Sequence, residues 1–222
     1  MLRRISVGDN VFSVDPREPG SFGFFEEKLL HGTTTVGLIA KDAVILAADR
    51  RATAGTYIAH KKTKKIVKVN EKMALTTAGL VADAQVLADV LQNEIRYYEL
   101  TTKNKMSVKA ATYYLSSILY SYKLFPFLVQ LLVGGYDSKP RLFSLDWYGS
   151  VLEEQYTATG SGSPIAIGVI EEGYREGMEP EEARSLAVKA VKAALKRDAA
   201  TGDGIDSVII TKDGISEFSD AP

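Results

Sequence analysis

The chain has 222 residues, 45% of them hydrophobic and 25% charged, an ordinary globular balance that can bury one substantial core. Its 27 Lys and Arg nearly cancel 28 Asp and Glu, and a net charge of -1 provides no whole-molecule field to attract nucleic acid or anionic lipid; any basic patch must be local. With 0 Cys there is no disulfide framework, thiolate nucleophile or Cys-held metal, and with 2 His, His31 and His60, a histidine-based triad is poorly supplied.

Residues 1–32 carry Gly8, Pro16, Pro19, Gly20 and Gly23 among isolated aromatics such as Phe12, Phe22, Phe24 and Phe25, with no sustained period. That texture reads as a leader preceding one domain at 33–222. Arg3 and Arg4 could open a signal peptide, but Asp9, Asp15 and Glu18 interrupt any apolar stretch, so no signal core follows. No uncharged apolar run reaches the roughly 18 residues of a membrane span, and the expected setting is cytoplasmic.

From Thr33 the pattern becomes regular. Thr34–Ala40 and Ala43–Ala48 are predicted strands joined by the polar turn Lys41-Asp42, followed by Tyr57–Ala59, Lys65–Val69 and Met73–Thr77. Helical spacing then marks one face with Ala84, Leu87, Val90, Leu91 and Ile95, and a second with Val108, Ala111, Leu115, Ile118, Leu119 and Tyr122. Strands return at Leu128–Val133, Arg141–Trp147 and Val151–Tyr156, separated by Gly134-Gly135 and Tyr148-Gly149-Ser150. A short helix follows Pro164, and a longer one spans Pro180–Arg197 with acids at its start and bases at its end, as the helix dipole favours. Ile205–Thr211 and Ile215–Phe218 close the chain as a hairpin around Lys212-Asp213-Gly214. Blocks of strands alternating with pairs of helices predict an α+β layered sandwich of antiparallel sheets with helices outside.

Several residues could carry chemistry. Gly32-Thr33-Thr34-Thr35-Val36-Gly37 joins the irregular leader to a β-branched run. If Thr33 became a new N-terminus, its α-amine, with a pKa of roughly 7.7 to 8.0, would be a usable base beside its own hydroxyl. Read plainly, the same residues begin a strand.

Lys65 lies in the basic run His60–Lys65, ordinarily a solvated surface, yet strand alternation groups it with Val67 and Val69 on the apolar side. Asp49 ends the apolar run Ala43–Ala48, either as a turn residue or as the partner of a buried Lys65. Gly79, between a strand and a helix start, is either a turn glycine or the source of an N–H for an oxyanion. Thr159–Pro164 is glycine-rich but lacks the Gly-Lys-Ser/Thr of a phosphate loop, and Arg197–Gly204, with two acids, does not match an EF-hand.

Together, Gly32–Gly37, Asp49-Arg50-Arg51, Lys64-Lys65, Ala78–Gln85, Gly160–Ser163 and Arg197-Asp198 resemble a proteasome β subunit, most of all the archaeal kind, over Thr33 to about Ile215. The resemblance implies the four-layer αββα sandwich of N-terminal nucleophile hydrolases and a threonine endopeptidase. It implies Thr33 as nucleophile, Asp49 and Lys65 as its charged pair, Ser161, Asp198 and Thr201 as support for the amine, and Gly79 as oxyanion donor. Thr201 departs from the pattern, since many relatives carry serine there.

Self-cleavage at Gly32-Thr33 would release a propeptide of residues 1–32. A pocket of Ala52, Thr63, Val67 and Thr77, small and without an acid, implies cleavage after apolar or aromatic residues. Implied partners are proteasome α subunits and other β subunits in stacked heptameric rings, a regulatory ATPase acting through the α ring, and polypeptide substrates, with no cofactor, metal, nucleic acid or membrane. Competing readings are an unprocessed, silent β subunit, another N-terminal nucleophile hydrolase such as an amidase or bacterial two-component protease subunit, and a nucleic-acid module using His60–Lys65. The last lacks aromatic interleaving for base stacking.

Overall fold

The structure is a computed structural model that describes residues 32–222 and two strand segments before them, β1 (Ile5–Val7) and β2 (Asn10–Phe12), which pair antiparallel. The leader reading of residues 1–31 otherwise lies outside the described residues.

Two five-stranded antiparallel sheets form the centre. One contains β3 (Thr35–Ala40), β4 (Ala43–Asp49), β12 (Tyr156–Thr159), β13 (Ile205–Thr211) and β14 (Gly214–Asp220), in the order β12-β3-β4-β13-β14. The other contains β7 (Ile66–Asn70), β8 (Met73–Gly79), β9 (Val129–Tyr136), β10 (Pro140–Leu145) and β11 (Val151–Glu153), in the order β11-β10-β9-β8-β7. A small hairpin, β5 (Ala52–Ala54) with β6 (Tyr57–His60), stands apart from both.

Helices α1 (Val81–Thr102) and α2 (Val108–Ser121) cover the second sheet, while α3 (Ser163–Gly173) and α4 (Pro180–Leu195) cover the first. Local chemistry starts them: Ser107 caps α2 by accepting from the Ala110 N–H, and α4 opens on Pro180 with Glu181 and Glu182 in its first turn. Among the described residues no helix is long and apolar enough to cross a membrane.

The strand β4 explains the layering. Its residues from Ala43 to Asp49 are all buried because both faces are covered. Ala43, Ile45 and Ala47 pack under α3 and α4, while Val44 and Leu46 meet Ala74, Leu132 and Leu142 of the opposite sheet. The result is the α+β sandwich of two antiparallel sheets between helix pairs that the sequence predicts.

Three sequence expectations need correction. Val151–Tyr156 is not one strand: β11 ends at Glu153 on the edge of one sheet, and β12 begins at Tyr156 on the edge of the other. A continuous β-favourable run cannot reveal that the chain changes layers at Glu154-Gln155. Gly134-Gly135 does not end a strand but continues β9 to Tyr136. A Cβ on Gly134 would lie 2.9 Å from Val44 Cγ1 and one on Gly135 2.7 Å from Val108 Cγ2, so glycine marks close approach on both faces. The last long helix stops at Leu195, with Lys196 as its cap, short of Arg197.

Candidate active site

Thr33 sits immediately before β3 and is 4% exposed. It lines a cleft of about 270 Å³ with Gly32, Lys65 and Gly79 and with Ala52, Thr63, Val67 and Thr77, so the residues expected around a nucleophile are gathered from the segment before β3, from β5 and the loop after β6, and from β7 and β8. Lys64, Val81, Ala84 and Gln85 complete the lining. Those last three come from the first turns of α1, which the sequence treats only as a helix start.

Asp49 is wholly buried and fully engaged. Its Oδ1 accepts from Lys65 Nζ at 2.7 Å and from the Thr34 N–H at 3.0 Å, and its Oδ2 accepts from the Gly202 N–H at 2.9 Å and the Arg51 N–H at 3.1 Å. The carboxylate therefore ties the start of β3, the end of β4 and the loop before β13 to the lysine. Lys65 is 5% exposed. Burial pushes its ammonium below the usual 10.5, and the Asp49 carboxylate opposes that shift by favouring the charged form.

Ser161 contacts Thr33, and Asp198 stands behind Ser161. The Thr33 N–H donates to Ser161 Oγ at 3.1 Å, and Ser161 Oγ donates to Asp198 Oδ2 at 2.6 Å. Thr201 Oγ1 donates to the same carboxylate oxygen at 2.5 Å, so its contact with Thr34 Oγ1 at 2.7 Å must use the Thr34 proton. Proton order is thus set from Thr34 through Thr201 to Asp198. The two acids of the 197–204 segment diverge: Asp198 serves the hydroxyls, whereas Asp203 accepts from Arg51 Nε at 2.8 Å.

Two glycines are required by geometry. Gly79 has φ +123°, and a Cβ there would stand 2.1 Å from the Leu128 carbonyl oxygen. Gly160 has φ +89°, and a Cβ would stand 2.1 Å from the Thr33 carbonyl oxygen, so only glycine lets this turn close over the threonine.

Sequence reasoning missed several contributors. The Gly32 N–H donates to Thr53 Oγ1 at 3.1 Å, and the Gly160 N–H donates to Gln130 Oε1 at 3.1 Å. Thr53 lies on the three-residue β5, too short for periodicity to register. Gln130 left a usable signal as a lone polar residue in the apolar stretch Val129–Val133.

Antiparallel sheets face to face between helix pairs, with a buried threonine at the mouth of the sandwich, define the fold class of the N-terminal nucleophile hydrolases. A family described as "Proteasome subunit" matches residues 29–210. The chain is 58% identical over 192 residues to "Proteasome subunit beta 2" of Hyperthermus butylicus, covering 86% of this chain and 91% of the relative. From Ignicoccus hospitalis it is 58% identical over 189 residues to "Proteasome subunit beta 2", covering 85% and 89%, and 49% identical over 179 residues to "Proteasome subunit beta 1", covering 81% and 90%. The chain belongs to the proteasome family, as an archaeal-type β subunit.

Proposed function

We propose that this chain is a catalytic β subunit of a proteasome core particle: an N-terminal-threonine endopeptidase that frees its own nucleophile by cleaving Gly32-Thr33. The observation that carries the reading is the convergence on Thr33 of two separate devices, the Lys65–Asp49 pair and the Ser161–Asp198 pair.

In the precursor, Thr33 Oγ1 attacks the Gly32 carbonyl carbon, the C–N bond breaks as an ester forms, and water hydrolyses the ester to release residues 1–32 as a carboxylate. Thr33 then owns a free amine. In the processed subunit that amine, directly or through a water, takes the hydroxyl proton while Oγ1 attacks a substrate carbonyl. The Lys65 ammonium, held by Asp49, lowers the cost of negative charge on Oγ1. Ser161 accepts an amine hydrogen and passes its own proton toward Asp198, which orients the amine lone pair. The Gly79 N–H receives the oxyanion, a contribution of roughly 3 kcal/mol for one such donor. The leaving amine departs with the proton, and water clears the acyl-enzyme. The Thr33 γ-methyl restricts χ1 in a way serine could not.

The cleft suits apolar or aromatic side chains. Ala52, Val67 and Ala84 offer small apolar surface, Thr63 and Thr77 are neutral, and Lys64 at the edge disfavours a basic residue. The subunit would act on unfolded polypeptides in the cytoplasm, with α subunits and other β subunits in stacked heptameric rings and an ATPase feeding the α ring. Exposed Tyr113, Tyr120, Leu124 and Phe125, the last at 86%, fit a chain that is covered on assembly.

Co-expression with its α subunit, followed by intact mass, N-terminal sequencing and a fluorogenic peptide panel, tests the proposal. A start at Thr33 with cleavage after apolar residues supports it. A chain that keeps its leader and hydrolyses nothing is the silent ring member instead, an arrangement made plausible by relatives named beta 1 and beta 2 in one archaeon.

A further inference from the structure

Gln130 stands on β9, while Ser161 belongs to the turn that follows β12 in the other sheet. On β9, Gln130 shares its face with Leu132, which packs between the sheets, so its side chain points toward the opposite layer. There its Oε1 accepts the Gly160 N–H at 3.1 Å.

The Gly160–Gly162 turn wraps the Thr33 peptide. Besides the Ser161 contact, the Gly162 N–H donates to the Thr33 carbonyl oxygen at 3.3 Å, and the positive φ of Gly160 brings its Cα against that same oxygen. These contacts hold the turn to its own sheet. The Gln130 bond is its tie to the opposite one. Ser161 itself is exposed, so packing alone does not fix where its Oγ lies.

We propose that Gln130 is a positioning residue for the threonine reaction: its amide oxygen anchors the Gly160–Gly162 turn across the sheet interface and so keeps Ser161 Oγ on the Thr33 nitrogen. The proposal rests on Thr33 acting as nucleophile. The contribution is geometric, and misplacement of a reacting group by about 1 Å can cost about 100-fold in rate.

Gln130→Glu and Gln130→Met, each assembled with the α subunit, separate anchoring from packing. Glu keeps the acceptor and Met keeps the length while losing it. The expected result is kcat within about threefold of wild type for Glu, and a fall of about tenfold or more for Met with KM within about twofold. A packing role gives the reverse order, because Met fills an apolar site better than a carboxylate does. Exchange of the Gly160 amide provides a readout independent of activity: it should quicken in the Met variant and not in the Glu variant. Unchanged kcat or unchanged exchange for Met overturns the anchor. An inactive wild type whose Gly160 exchange still responds to Met leaves the anchor standing and removes the nucleophile reading instead.

Discussion

Lys65 Nζ and Asp49 Oδ1 meet at 2.7 Å although Asp49 ends a strand of one sheet and Lys65 precedes a strand of the other. The pair joins the two layers at the cleft, and its members are not equivalent. Asp49 also accepts the Thr34, Arg51 and Gly202 N–H groups, whereas Lys65, among the described residues, makes the one ion pair with Asp49. Asp49→Ala should therefore cost about 3–5 kcal/mol, as expected when a buried ion is deleted and its donors are left behind. Lys65→Met should cost about 2 kcal/mol, since Asp49 keeps its backbone donors. Both should abolish peptidase activity. Guanidinium unfolding followed through Trp147 measures the difference, and equal losses would count against the asymmetry.

The same pair sets a pH dependence. Burial lowers the Lys65 pKa below 10.5, the usual lysine value. Below the lowered value, folded and unfolded chains both carry the proton. Between it and 10.5 the unfolded chain binds more protons, so the Lys65 contribution to stability rises with pH across that window. Activity should move the other way, because the ammonium that favours an anionic Oγ1 is lost. A pH profile of kcat/KM should show an alkaline limb below the ordinary lysine range, absent from thermal stability. A limb at or above that range would argue against a buried, functional ammonium.

Gly32 and Ala200 make a steric prediction. A Cβ built on Gly32 falls 1.7 Å from Ala200 Cβ, with Ser161 Oγ at 3.0 Å. Gly32→Ala should block leader release, and Ala200→Gly in the same chain should restore part of it, because one of the obstructing atoms is then gone. Intact mass of the co-expressed particle reads both outcomes. Full processing of the single Gly32→Ala chain would show that this packing does not gate cleavage.

Thr201 tests the proton order of the hydroxyl cluster. Its Oγ1 stands between Thr34 and Asp198 at 2.7 and 2.5 Å. Thr201→Ser keeps both bonds and should retain kcat within about threefold, whereas Thr201→Val leaves Asp198 and Thr34 short of a partner, at about 1–3 kcal/mol and about tenfold in kcat. If Val matches Ser in peptide hydrolysis, the cluster is structural only.

Much of this molecule was readable along the chain. The unbroken apolar run Ala43–Ala48, the closing hairpin pattern of 205–218, helical spacing in α1, α2 and α4, and turn chemistry at Lys41-Asp42 and Lys212-Asp213-Gly214 are local patterns imposed by secondary-structure geometry, and the α+β sandwich follows from their order. The family resemblance, not any local period, brought Thr33, Asp49, Lys65, Gly79, Ser161, Asp198 and Thr201 together as candidates. What the sequence could not reveal depends on contacts between distant segments. The change of layer at Glu154-Gln155, the passage of β9 through Gly134-Gly135, the Thr53 bond to Gly32 and the Gln130 bond to Gly160 have no local period. Each exists because two sheets pack face to face and bring together groups that one strand's pattern cannot relate.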